Sequence, residues 1–137
     1  MTGEDLAIAA RGLVGSPFRL HGRDPASGLD CVGVIEAAFA KAGMRCRLPN
    51  GYRLRARDLP DAAALASALG LERTDGAIAA GDVLLLRPSP CQFHLVLAVS
   101  PAAVVHAHAG LRKVVLGPLP DQWSRYGHWR LPPDTRN

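Results

Sequence analysis

The sequence predicts an α+β fold, in which helices come first and an antiparallel sheet follows. Apolar residues recur at helical spacing between residues 6 and 42. From residue 83 onward, short apolar runs are separated by proline, glycine or serine, which is typical of strands. Helices followed by strands favour a sheet covered by helices. The chain has 137 residues and is 48% hydrophobic, so we expect a single domain over residues 1–137 with a flexible tail at 132–137.

Two helices are predicted near the N-terminus. The first starts at a capping pair, Thr2 and Asp5, and stops at Gly15. Its apolar stripe consists of Leu6, Ala9, Ala10, Leu13 and Val14. The second runs from Asp30 to Ala42 and buries Val34, Ile35, Ala38, Phe39 and Ala42. A loop rich in turn-forming residues, from Ser16 to Gly28, joins the two helices.

A third helix is predicted from Leu59 to Leu69, preceded by Asp58 and closed by Gly70. After it the apolar period changes, and about five strands are predicted. They cover residues 83–87, 93–99, 104–108, 113–116 and 128–131. We expect these strands to form one antiparallel sheet packed against the helices.

Cys31 opens the second helix and is the first candidate for chemistry. A thiol at a helix N-terminus meets the positive end of the helix dipole, which favours the thiolate. The sulfur lies three and four residues before Val34 and Ile35, so it shares their inward face. We therefore expect Cys31 to be a nucleophile if a histidine reaches it.

Two histidines lie in consecutive predicted strands. If a hairpin with a three-residue loop centred on Ser100 places His94 opposite His106, the two imidazoles lie roughly 5 Å apart and can hydrogen-bond. His108 has the same strand parity, so the pattern alone leaves it open as the partner of His94.

An ordered set of motifs resembles the NlpC-type cell-wall peptidases. In chain order the set comprises Gly15-Ser16-Pro17-Phe18, Gly28 to Gly33 around Asp30-Cys31, Gly81-Asp82-Val83, His94-Leu95-Val96 and His106-Ala107. The resemblance covers nearly the whole chain. It implies a papain-like fold and cleavage of peptidoglycan stem peptides, often between γ-D-glutamate and a diamino acid.

By the same resemblance, Cys31 is the nucleophile of an acyl-enzyme mechanism, His94 the general base and His106 the residue that orients it. Two departures concern the cleft. Phe18 stands where the family usually has a tyrosine hydroxyl near the oxyanion, so that donor is missing or replaced. Val32 stands where serine is usual, which resembles the subset found in phages and gene-transfer particles.

Structural roles are expected for several other side chains, with some alternatives open. Asp30 is expected to cap the helix, and Asp82 to close a turn before a strand. His21 and His128 are expected at the surface or in satisfied loops, although His21 could line the cleft. The free thiols Cys46 and Cys91 are expected to be structural.

A zinc site is the weaker alternative for the histidine-rich region. Cys91, His94, His106 and His108 could supply ligands, but they lack a closed, well-spaced set, so no metal or other cofactor is expected. Two further alternatives stay open: a non-catalytic wall-binding or phage-tail assembly module that kept the fold, and an acyltransferase using the same dyad.

Charge and composition limit the partners. The net charge is +4 and aromatic residues make up 5%, with no lysine run, so a nucleic-acid groove is not expected. The acidic N-terminus lacks an apolar signal-peptide region, and no stretch is long enough to insert into a membrane. We expect synthesis in the cytoplasm, possible delivery to the wall by a phage-like particle, and peptidoglycan stem peptides or tail proteins as partners.

Overall fold

The computed structural model describes residues 1–48, 62–90 and 92–133. Three helices are present over these residues: α1 (Gly3–Arg11), α2 (Cys31–Lys41) and α3 (Ala62–Ala68). Among the described residues, no helix is long and apolar enough to cross a bilayer.

Within the described residues, eight strands form two antiparallel sheets. The first sheet is a small ribbon of β1 (Arg23–Asp24) and β2 (Gly28–Leu29). The main sheet has six strands in the order β3-β8-β4-β5-β6-β7. Its strands are β3 (Glu72–Arg73), β4 (Val83–Ser89), β5 (Gln92–Ala98), β6 (Ala103–His108), β7 (Lys113–Pro118) and β8 (Ser124–Arg130). The predicted α+β class with helices packed on an antiparallel sheet is confirmed.

The main hydrophobic core lies between the helices and one face of the sheet. Phe39 of α2, Leu6 of α1 and Phe93, Leu95 and Leu97 of β5 are all buried there. A second, smaller cluster lies on the opposite face, where Leu84, Leu86, Val96, Ala98 and Val104 are covered by Ile78, Leu119 and Trp123. Strand alternation explains the division, because consecutive β5 residues point to opposite faces.

Several predicted boundaries need correction. The helix α1 ends at Arg11 rather than near Val14, because the chain turns at Gly12 and leaves Val14 44% exposed. The predicted start of the third helix, Asp58 and Leu59, lies outside the described residues. The strand predicted over 128–131 is longer, since β8 begins at Ser124. The strands β1, β2 and β3 are two residues each and carried no periodic signal.

The hairpin of β5 and β6 also differs from the prediction. Ala98 pairs with Val104, so the turn centres on Pro101 rather than Ser100. The register is therefore shifted by two residues, and His94 and His106 are diagonal neighbours instead of directly opposed. An even shift keeps every side chain on its face, so both imidazoles still point the same way.

Candidate active site

The N-terminus of α2 places Cys31 beside the sheet. Asp30 is the N-cap, and its Oδ1 accepts a hydrogen bond of 2.8 Å from the backbone N–H of Gly33. A residue with a side chain would not fit at Gly33, because the carbonyl oxygen of Gly22 occupies the space where a Cβ would lie. The backbone N–H groups of Cys31 and Val32 lie in the first turn, where the helix itself supplies no acceptor.

A cavity of about 800 Å³ opens against this helix terminus. Cys31, His94 and His106 all line it, so the structure brings the three predicted catalytic side chains to one cavity. Cys31 is 5% exposed, yet its side chain contributes to the cavity wall. The sulfur is therefore buried but not sealed in the core.

The two histidines form a hydrogen-bonded pair. His94 Nε2 lies 2.8 Å from His106 Nδ1, and the two rings meet edge to face. They are 8% and 7% exposed. If His94 donates its Nε2 proton to His106, its Nδ1 is the free basic nitrogen. His108 is exposed, and its Nδ1 accepts the backbone N–H of Leu111 at 3.0 Å. His106, not His108, is thus the hydrogen-bonding partner of His94.

The thiol approaches β5 on the side that faces β6. Ala98 donates its backbone N–H to Asp82 on the β4 side, so alternation points the N–H of Leu95 toward β6. Among the described residues, the ladder between β5 and β6 has two pairs, the second being Leu97 with Val105. Beyond it, the N–H of Leu95 is oriented to bond the sulfur of Cys31 as a thiolate. Cys31 lies on the helix side of the sheet and thereby reaches His94 and His106, whose side chains point to the opposite face.

Burial keeps these groups neutral. Desolvation raises the pKa of Cys31 to about 12, against the stabilising N–H of Leu95. Desolvation lowers the pKa of His94 to about 3 and that of His106 to about 4, and the neighbouring histidines add to the shift. The pKa of Cys31 is thus shifted in the direction opposite to the one that the helix dipole favours, because the loss of hydration outweighs the dipole in this site.

The other cleft candidates separate into two groups. Phe18, His21 and Asp30 line the cavity. Val32 is fully buried in the core and contributes no side chain to the lining. Asp30 is engaged on both carboxylate oxygens, because its Oδ2 also accepts the backbone N–H of His21 at 3.0 Å.

Trp123 lines the cavity beside the histidine pair, and the sequence alone did not indicate it. It follows β7 in a turn, lines the cavity and lies edge-on to both imidazoles, at 5.9 Å from His94 and 6.1 Å from His106. No periodic pattern surrounds it. In the structure it lies in a turn in which its backbone N–H bonds to the carbonyl of Pro120 at 3.2 Å, and no local sequence signal pointed to it.

The remaining candidates lie elsewhere. Cys46 hydrogen-bonds to the carbonyl of Ala68 at 3.4 Å, and Cys91 lies outside the described residues. In the part of the chain that the structure describes, no three His, Cys, Asp or Glu side chains are grouped as metal ligands. The expectation that His128 is at the surface or in a loop is wrong. It lies in β8, 4% exposed, and its Nε2 is 2.6 Å from Asp82.

Asp82 does close the predicted turn, by accepting the backbone N–H of Ala79 at 2.9 Å. It is also fully buried and receives two bonds from the guanidinium of Arg130, at 2.8 and 2.9 Å. Hydrogen bonds from Arg130 and His128 hold its pKa below the ordinary value against the opposing desolvation.

Comparison with solved structures identifies the fold. The chain is similar to NlpC1 from Trichomonas vaginalis (TM-score 0.67, 18% identity, covering 93% of this chain and 44% of that one). It is also similar to the NlpC/p60 domain of the peptidoglycan hydrolase SagA (TM-score 0.64, 22% identity, 93% and 97% covered). A third is the P60 domain of an antigen from M. avium subspecies paratuberculosis (TM-score 0.60, 17% identity, 94% and 93% covered).

The chain spans less than half the length of the Trichomonas vaginalis protein but nearly all of the other two domains. No family model matches the sequence, and no curated protein matches it. The structural likeness therefore establishes the architecture alone: this chain has the fold of the NlpC/P60 domains.

Proposed function

We propose that this protein is a cysteine peptidase that hydrolyses amide bonds in peptidoglycan stem peptides, through Cys31, His94 and His106. The proposal is carried by one observation: the thiol at the start of α2 lines the same cavity as a histidine pair 2.8 Å apart. The fold supports it, since one structural neighbour is the NlpC/p60 domain of a peptidoglycan hydrolase. We assign the scissile bond to γ-D-glutamyl–diamino acid linkages, as the motif resemblance implies.

The chemistry begins from a neutral thiol and a neutral imidazole. His94 takes the proton of Cys31 as the sulfur attacks the carbonyl carbon, forming the C–S bond. The C–N bond then breaks, and His94 returns the proton to the leaving amine. Water, deprotonated by His94, hydrolyses the thioester and regenerates the thiol. Throughout these steps, the hydrogen bond between the Nδ1 of His106 and the Nε2 of His94 holds the His94 ring in place.

Two features lower the barrier in this site. The backbone N–H of Cys31 lies in the first turn of α2 and is a donor for the developing oxyanion. The N–H of Leu95 favours the sulfur anion as the proton leaves. Because both reacting groups start neutral, proton transfer is coupled to attack rather than preceding it.

The place of action follows from the resemblance to the phage and gene-transfer-particle subset. We propose that the protein reaches the cell wall with such a particle, where tail proteins are its partners. Residue Val32 after the nucleophile is the sequence feature that supports this assignment.

Digestion of purified peptidoglycan tests the function. Wild type is expected to release muropeptides cut between γ-D-glutamate and the diamino acid, resolved by mass spectrometry. Cys31→Ala is expected to abolish release, because no other group in the cavity replaces the sulfur. Cys46→Ala is the matched control, since Cys46 bonds to a helix carbonyl away from the cavity. Equal release by wild type and Cys31→Ala would remove the proposal.

The rival function is a non-catalytic wall-binding or tail-assembly module. It is favoured by Phe18, which presents no hydroxyl to the cavity, and by the raised pKa of Cys31. For that function, wild type and Cys31→Ala bind peptidoglycan equally in a pull-down and neither releases muropeptides. Cleavage by wild type alone decides for the peptidase.

A further inference from the structure

We propose that the imidazole of His21 donates the side-chain hydrogen bond to the carbonyl oxygen that becomes the oxyanion when Cys31 attacks. This assignment rests on the proposed peptidase function and adds a catalytic residue to it. It is carried by the placement of His21 in the cavity wall, its backbone conformation and its connection to the helix that bears Cys31.

The backbone at His21 is unusual. The chain turns over Arg19 to Gly22, closed by the Gly22 N–H on the Arg19 carbonyl at 2.8 Å. His21 occupies the third position of this turn with φ +61°, a conformation that glycine adopts without steric cost. A histidine there is held at a conformational cost, and such residues cluster at functional sites.

Asp30 fixes the distance between the turn and the nucleophile. Its Oδ2 accepts the N–H of His21 at 3.0 Å, while its Oδ1 accepts the N–H of Gly33 at 2.8 Å. Its own N–H bonds to the carbonyl of Gly22 at 3.3 Å. One carboxylate thus ties the turn to the first turn of α2, next to Cys31. The backbone of His21 is thereby tied to the helix terminus that carries the reacting sulfur, while its exposed side chain lines the cavity.

The other polar side chains in the described cavity wall are less suited to this role. Those of His94 and His106 are bonded to each other, and Asp30 is an acceptor. Arg23 pairs with Glu36 at 2.6 Å. Gln92, His108 and the indole of Trp123 remain, and all three lie on the sheet side of the cavity, Trp123 edge-on to the histidine pair, rather than at the helix terminus.

The chemistry requires a donor on this side. Acyl transfer places negative charge on the carbonyl oxygen, and the backbone N–H of Cys31 supplies one hydrogen bond to it. Phe18 contributes an apolar ring to the wall and no donor. An imidazole carries at least one N–H, so the His21 side chain can provide the second bond.

The test is a variant that separates strain from chemistry. His21→Gly removes the donor and places at φ +61° the residue that prefers it, so we expect an unchanged or raised Tm. We expect kcat on purified stem peptide to fall about 10²-fold, with KM nearly unchanged. His21→Asn and His21→Gln place an amide N–H near the Nδ1 and Nε2 positions respectively. Rescue by one of them identifies the donating nitrogen.

Gln92→Ala and His108→Ala are the comparison variants for the other donors of the cavity wall, and each is expected to lower kcat less than His21→Gly does. Wild-type kcat in His21→Gly would overturn the assignment, as would a loss in Gln92→Ala or His108→Ala that exceeds the loss in His21→Gly. In either case, inactivity of Cys31→Ala still upholds the peptidase itself. Cleavage by Cys31→Ala would instead refute the proposed function, so the two failures are distinguishable.

Discussion

Two buried histidine clusters lie on the same sheet, and their surroundings differ. At the start of β4, His128 faces Asp82, whose carboxylate also receives Arg130. On β5, the strand whose Ala98 bonds to the backbone of Asp82, His94 faces His106 instead of a carboxylate. The first cluster does not line the cavity of about 800 Å³, whereas the second lines that cavity beside a thiol.

The difference shows that buried histidines in the same sheet can have different roles, depending on their partners. At Asp82, a carboxylate and a guanidinium compensate the buried charge, so the cluster is built for stability. At His94, neither imidazole has a carboxylate partner among the described residues, and burial lowers the pKa of both. A buried imidazole that has no carboxylate partner and lines a cavity is suited to accept a proton from a group that reacts in that cavity.

The largest expected effect is on turnover. His94→Gln keeps the volume of the side chain but removes the base, so kcat/KM is expected to fall about 10³-fold or more. The free energy of unfolding should change by less than about 1 kcal/mol, because the ring lines a cavity rather than filling the core. Peptide hydrolysis and denaturant unfolding measure the two quantities. A stable variant with wild-type turnover would refute the role of His94.

The second expected effect, at the Asp82 cluster, is a loss of stability without a loss of turnover. Asp82→Asn leaves Arg130 and His128 without their carboxylate, so the unfolding free energy is expected to drop by about 3 kcal/mol. At a temperature where the variant is folded, its kcat/KM should match wild type. Loss of turnover in folded Asp82→Asn would show that the clusters are not separate in purpose.

A smaller effect distinguishes the two neighbouring histidines of β6. His106→Ala is expected to lower kcat about 10- to 100-fold, because the His94 ring loses the partner that orients it. His108→Ala should change kcat less than threefold, since its Nδ1 is bonded to Leu111. The opposite ranking would assign the orienting role to His108.

The pH dependence of stability sharpens the comparison. The pKa values of His94 and His106 are lowered from 6.5, so the unfolded chain binds more protons between about pH 4 and 6.5. Their contribution to stability is therefore complete above pH 6.5 and is lost as the pH falls. Asp82→Asn should keep this slope and His94→Gln should reduce it in urea unfolding at each pH. An identical slope in His94→Gln and wild type would contradict the lowered pKa of His94.

Local signals predicted most of the fold and the position of Cys31. The N-cap Asp30, the helix start at Cys31 and the strand parity of His94 and His106 are encoded within a few residues. The hairpin register was wrong by two because an even shift leaves the hydrophobic pattern unchanged. Parity was sufficient to bring the imidazoles together, but not to fix which residues pair.

Long-range contacts account for the remaining errors. His128 looked like a surface residue because its partner, Asp82, is 46 positions away in the sequence. Trp123 lies in a turn without periodicity, so nothing local indicated that it would cover the histidine pair. The raised pKa of Cys31 has a similar origin: the helix dipole is visible in the sequence, whereas desolvation depends on everything packed around the sulfur.

The alkylation rate of Cys31 as a function of pH tests the central claim, that burial without a carboxylate keeps the thiol and imidazole neutral until substrate arrives. Iodoacetamide modification, followed at Cys31 by peptide mass spectrometry, is expected to accelerate about tenfold per pH unit from pH 7 to 10 without a plateau. Such a rise reflects the pKa of about 12. A plateau with a midpoint below pH 8 would reveal a standing thiolate–imidazolium pair and contradict the account.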